Sequence, residues 1–158
     1  MFFADPAIAV REALRVVLKD GCVAFAVWGP EEANPFFSTI TDLIDQFLEN
    51  PPEDSDTPDA FRFAVPGKLA GILEQADTKN VIERHPNFQI EAAISFEQFW
   101  QLQTEMSESL REKMTRLTPA QLPTVRQAVA AAARRYFVSG RMSFPAEALI
   151  VSGRKSGI

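Results

Sequence analysis

The segment Cys22-Val23-Ala24-Phe25-Ala26-Val27-Trp28 is apolar at every position and is bounded by Gly21 on one side and Gly29-Pro30 on the other. A run of this length, rich in β-branched and aromatic residues and closed by turn formers, is a strand. It does not alternate between apolar and polar residues, so the expectation is a strand covered on both faces, as in an α/β sheet. The preceding residues fit that setting. Asp5-Pro6 supplies an N-cap acceptor and a preset φ for a helix start. Val10, Leu14, Val17 and Leu18 recur at helical spacing, and Gly21 is expected to provide the left-handed stop.

Downstream, Asn34-Pro35 repeats the cap-then-proline signal. A helix follows with an apolar stripe of Phe36, Phe37, Ile40, Leu43, Ile44, Phe47 and Leu48. Glu49 to Asp59 is acidic and proline-rich, the composition of a solvated loop. A helix opens near Pro66 with Leu69, Ile72 and Leu73 inside. Val81 to Ala92 is extended in character, with Pro86 required to fall at a bulge, edge or break. Ser95 and Gln98 form a capping box for a long helix carrying Phe99, Leu102, Met106, Leu110 and Leu117. Thr118-Pro119 starts another, with Leu122, Val125, Val129, Ala132, Tyr136 and Phe137 on its face and Gly140 at its end. Met142 to Phe144 and Ala148 to Val151 give a last strand. The order is α/β with few strands for its length, and the expectation is a single domain over 1–158 with a helical cap at approximately 95–138.

Composition narrows the function classes. The 158 residues carry a net charge of −5, which disfavours a nucleic-acid partner because phosphate binding needs a basic face. No apolar run approaches the roughly 18 residues of a membrane helix, and the first residues lack the basic-then-apolar pattern of a signal peptide. One cysteine, Cys22, excludes an internal disulfide and fits the cytoplasm. With one cysteine and one histidine, a thiolate–imidazole metal site has almost no material.

The residues Phe2-Phe3-Ala4-Asp5-Pro6, Arg11-Glu12-Ala13-Leu14-Arg15-Val16-Val17-Leu18 with Gly21, and the strand to Trp28 resemble one segment of class I (Rossmann-like) S-adenosylmethionine-dependent methyltransferases of the type 11 kind. The resemblance continues through Asn34-Pro35-Phe36-Phe37 and Phe63 to Val81. It ends at Phe144-Pro145-Ala146-Glu147-Ala148-Leu149-Ile150-Val151, which looks like that family's last antiparallel strand. It implies a partial sheet made of the fifth, seventh and sixth strands, the seventh antiparallel, with flanking helices and a helical cap. It also implies that the N-terminal, cofactor-binding half is missing and that Met1 matches an internal position of relatives. Two places depart from the family: Lys19-Asp20-Gly21 stands for proline-glycine-glycine, and Ala76-Asp77-Thr78 for alanine-glycine-phenylalanine.

In such folds the cofactor lies over a glycine-rich turn at the carboxyl ends of the first strands. None of the glycines here makes a G-x-G turn after a strand, and Gly67 with Gly71 lies on an amphipathic helix. No cofactor-binding residues are therefore expected in this chain, although S-adenosylmethionine belongs to the family; no metal is expected, and no catalytic residue is identifiable. Trp28, Phe36, Phe37, Trp100 and Met106 are the candidates for an apolar acceptor pocket, set against the commoner role of aromatic stripes as core. His85 has the chemistry of a general base but no acidic partner at a telling spacing. Cys22 suits a small core residue, and Glu105, Glu108, Arg111 and Glu112 a solvated helix face.

The strand with Val23, Phe25 and Val27 would pair with the missing fourth strand, so alone it offers an unprotected edge. A homodimer is expected to cover it, edge to edge or with the Asp5 to Leu18 helix laid across; the other candidate partner is a missing N-terminal half. The functional expectation is a methyltransferase-like domain that is not an enzyme as a lone chain. The alternatives are a small-molecule methyltransferase whose first half is encoded upstream or supplied by another chain, and a gene remnant without a selected role.

Overall fold

A computed structural model of the chain describes residues 1–48 and 58–156. The acidic, proline-rich stretch therefore lies outside the described residues except for Pro58 and Asp59. The described residues form two compact units, one from 1–33, 58–87 and 147–156, the other from 34–48 and 88–146. The expected cap, 95–138, falls in the second. The fold is mixed α/β, with five strands in a sheet whose paired neighbours are antiparallel. No described helix is long and apolar enough to cross a membrane.

In the first unit, α1 (Pro6–Val16) begins as its sequence dictates, with the Ile8 N–H donating to Asp5 Oδ1 at 2.9 Å. Strand β1 (Cys22–Trp28) and strand β2 (Thr78–Arg84) flank the last strand, β5 (Arg141–Lys155), in the order β1-β5-β2. Both are antiparallel to β5 and so run parallel to each other. This is the arrangement that the resemblance implies for the fifth, seventh and sixth strands. Helix α3 (Lys68–Gln75) precedes β2. Val10 and Leu14 of α1, Leu69 and Leu73 of α3, Val23 and Val27 of β1, and Leu149 and Val151 of β5 make one buried cluster with Phe63.

The second unit packs α2 (Pro35–Asp45), α4 (Phe96–Met106), α5 (Glu108–Thr115) and α6 (Gln121–Ala133) with strands β3 (Asn87–Ala92) and β4 (Phe137–Val138), which pair with β5. Its core joins Phe36, Ile40, Ile44, Phe99, Leu110, Val125, Val129 and Phe144. Buried Gln103 donates from Nε2 to the Phe36 carbonyl at 2.9 Å. The capping box forms in full, Ser95 N–H to Gln98 Oε1 and Gln98 N–H to Ser95 Oγ.

Several expectations are corrected. Strand β1 is not covered on both faces: Val23 and Val27 are buried and Phe25 half-buried, while Cys22, Ala24 and Ala26 are exposed. Gly21 does not take the left-handed conformation; Asp20 does, at φ 59°, as does Asp77 at φ 58° where the family has glycine. Aspartate tolerates this region better than most side chains. Gly21 is instead a close-approach residue, because a Cβ there would lie 2.5 Å from Val17 Cγ1 and 2.8 Å from the Leu18 carbonyl oxygen. Asn34 occupies the N-cap of α2 but makes no side-chain cap bond.

The long helix after Ser95 is two helices. Ser107 closes α4 by donating its N–H to the Gln103 carbonyl, and opens α5 by accepting the Leu110 N–H on Oγ at 3.1 Å. Ser107→Ala is expected to destabilise the protein by about 1 kcal/mol in urea unfolding, with Ser107→Asp close to wild type because aspartate restores the acceptor. The last helix stops at Ala133 rather than Gly140, and Ala133, not Ala132, continues the buried face. Phe137 belongs to β4, which turns into β5 through Ser139 and Gly140, both at positive φ. The expected break at Pro86 is found: β2 ends at Arg84 and β3 starts at Asn87.

Candidate functional site

In open α/β sheets, ligands gather at the carboxyl ends of the parallel strands. In the first unit those ends are Trp28-Gly29 after β1 and Arg84-His85 after β2, with β5 between them entering at Glu147 and Ala148. The Gly29 N–H donates to the Glu147 carbonyl at 2.9 Å, which carries the pairing one residue past β1. A Cβ on Gly29 would lie 3.0–3.2 Å from the Glu147 side chain, so glycine here allows that side chain to pack close.

His85 stands between two carboxylates. Its Nδ1 is 3.3 Å from Glu147 Oε1 and its Nε2 is 3.0 Å from Glu83 Oε1. Glu83 is held from behind by the Gly67 N–H, 3.1 Å from each of its oxygens, at the N-terminus of α3. The helix dipole favours a carboxylate in that place. The imidazole is 39% exposed, and the carboxylates only 15% and 19%, so the ring is the reachable member of the group. Carboxylate oxygens accept only, and an imidazole carries N–H on both nitrogens only when protonated. Both contacts are thus hydrogen bonds for the imidazolium, and one is given up when the ring is neutral. An exposed ring oriented in this way can accept or deliver a proton.

This group was not visible in the sequence. Glu147 lies 62 positions from His85 and only the fold joins them. Glu83, two residues before His85, was the available clue, because alternate residues of an extended segment share a side.

The residues expected to line an apolar pocket are distributed differently. Trp28 is half-buried at the end of β1 in the first unit; Phe36, Phe37, Trp100 and Met106 are in the second. Phe36 is core, with ring centroids 5.0, 5.6 and 5.7 Å from Phe37, Phe99 and Phe144. Trp100 is half-buried, 6.3 Å from the Phe96 ring, with the Arg126 guanidinium 6.0 Å from its own ring centroid. Met106, at the end of α4, is 69% exposed because the helix stops there. Val23, Phe25 and Val27, the expected dimer edge, turn their side chains into the first unit's core, and it is the backbone of β1 that forms the edge.

The remaining candidates are accounted for locally. Glu105 accepts from Gln101 Nε2 at 2.7 Å on an exposed helix face, and Arg111 donates to the Thr104 carbonyl. A shallow recess near the start of β1 carries Arg11, Arg15 and Lys155. There Arg15 is engaged by Glu12 at 2.8 Å and Lys155 donates to the Val17 carbonyl at 2.9 Å. Among the described residues no group of three histidines, cysteines or carboxylates is placed to hold a metal ion.

The chain is similar in structure to the YcgJ protein of Bacillus subtilis, with 14% identity and a TM-score of 0.44, covering 99% of this chain and 60% of that one. It is similar also to a protein of Bacillus halodurans described as a candidate methyltransferase, with 19% identity and a TM-score of 0.40, covering 98% of this chain and 65% of that one. The chain thus spans less than two thirds of the length of each. No family model and no curated protein matches it.

Proposed function

We propose that this chain is the C-terminal part of a class I methyltransferase-like domain, cytoplasmic, which as a lone polypeptide does not transfer methyl groups and associates with a second copy along β1. The observation that carries the reading is the strand order β1-β5-β2 with the central strand antiparallel to both neighbours. That order was expected from the residues that carry the family resemblance. Two features support the lack of a cofactor site. No G-x-G turn follows a strand, and the Gly29 N–H at the end of β1 is already given to Glu147.

Self-association is supported by the edge. Among the described residues β1 pairs only with β5, and none of its seven residues is a charge or a proline of the kind that protects exposed edges.

A second reading is favoured by His85 and its carboxylates at the ligand end of the strands. In it the chain is half of a small-molecule methyltransferase, the cofactor half lying on the same gene or another polypeptide, with His85 as the proton acceptor for the methyl-receiving group.

Calorimetric titration with S-adenosylmethionine and S-adenosylhomocysteine, after light scattering has fixed the oligomeric state, tests both readings. A dimer that gives no binding heat is the expected result. Saturable binding at one site per chain would overturn the proposal and make enzyme activity the leading reading.

A further inference from the structure

Among the described residues of the first unit, the helices packed on the three-stranded sheet, α1 and α3, lie on one side. The side of Val23, Phe25, Val27, Leu149 and Val151 is packed by α1 and α3. The register places Cys22, Ala24, Ala26 and Trp28 of β1 opposite Arg154, Ser152, Ile150 and Ala148 of β5 on the other side. Strand β2 adds Ile82 opposite Ser152 and Arg84 opposite Ile150, and across its bulge Lys79 opposite Arg154. Ile82 is 48% exposed and Ile150 37%, with Ala24 and Ala26 exposed beside them.

A strand with one face on the core and one in water alternates apolar residues inward with polar residues outward. The β1 contribution to this face contains no charged, hydroxyl or amide side chain. Alanines down its middle leave room for a close neighbour, and the bulkier isoleucines stand to one side. The charged residues in register on this face are Lys79, Arg84 and Arg154, all cations.

The charge pattern selects the occupant. A second copy has no described helix that complements the face. Helix α1 exposes Ile8 and Val16, but beside Arg11 and Arg15 against the single Glu12. Laid on this face it would set cations on cations. Helix α4 is acidic on its exposed side, but Met106 is its only exposed large apolar residue.

We propose that this face is a docking surface for an amphipathic helix of another polypeptide, with an apolar stripe over Ala24, Ala26, Ile82 and Ile150 and carboxylates flanking it to meet Lys79, Arg84 and Arg154. The site is separate from the β1 edge, so it stands or falls independently of self-association and of cofactor binding.

The lone cysteine provides a local reporter. Cys22 is exposed at one end of the face. A helix of about 18 residues is roughly 27 Å long, enough to cover the roughly 23 Å of a seven-residue strand. Two synthetic helices of that length would share one leucine stripe, flanked in one by glutamates and in the other by lysines. The rate at which a small alkylating reagent modifies Cys22 in the full chain is then followed against peptide concentration.

The glutamate peptide is expected to slow the reaction about tenfold or more at saturation, and the lysine peptide less than about twofold. Ala26→Arg and, separately, Ile150→Asp should abolish the protection, with circular dichroism confirming that each variant is folded. The double change Arg84→Glu with Arg154→Glu should turn the preference towards the lysine peptide. Equal protection by both peptides, protection by neither, or protection that survives Ala26→Arg would overturn the proposal. So would protection that arises from raising the protein's own concentration and is abolished by Ile150→Asp, which would assign the face, rather than the β1 edge, to a second copy.

Discussion

Phe144→Ala lowers the stability of the protein by about 3–5 kcal/mol, the range for emptying a fully buried aromatic site. Phe144 is fully buried, and four rings meet it: Tyr136 stacked at 4.2 Å, Phe99 stacked at 5.1 Å, Phe36 edge-on at 5.7 Å and Phe137 edge-on at 6.0 Å. Removing this ring leaves partners from α2 and α4, from β4 and from the turn before it facing a void. The check is urea unfolding followed by near-ultraviolet circular dichroism, where loss of aromatic signal precedes loss of helix if the second unit loosens first. Phe144→Leu, which keeps most of the volume, is expected to cost roughly half as much. A loss under about 1 kcal/mol for the alanine variant would mean that the ring is not packed as described.

The second large effect contrasts two neighbours. Leu149 is fully buried against α1 and α3, and Ile150, the next residue, is 37% exposed on the opposite face. Leu149→Ala is expected to destabilise by about 2–5 kcal/mol, and Ile150→Ala by less than about 1 kcal/mol. Both are read by denaturant titration in the presence and absence of the glutamate-flanked helix. If the two substitutions cost the same in its absence, the outer face is covered, and the one-sided sheet is wrong.

The parts of the fold that could be read from the sequence are those set by local rules. Asp5-Pro6 and Ser95 with Gln98 start helices because their side chains supply acceptors to nearby N–H groups, and both form. Pro86 had to interrupt a strand because it lacks an N–H, and β2 and β3 part there. The misreadings came where one residue type serves two purposes. Alanine is neutral between inside and outside, so Ala24 and Ala26 made β1 look buried on both faces. Ser107 falls inside the run read as one long helix, whereas its hydroxyl begins a second. At the candidate site, Trp28 was legible as the end of a strand, but the His85 group was not, because one of its carboxylates comes from β5 at the far end of the sequence.

That dependence on β5 governs the order in which the protein can be made. Residues 22–28 are paired with residues 148–154, so β1 finds its partner only after the helices and strands between them have been made. At about 5–20 residues per second, the interval between them on a ribosome is on the order of ten seconds. For that interval Val23, Phe25 and Val27 have no strand to lie against, whereas α2, α4, α5 and α6 are already complete. The helical unit can begin to assemble on the nascent chain and the sheet of the first unit cannot. The nascent polypeptide therefore presents β1 to chaperones and to aggregation until β5 emerges.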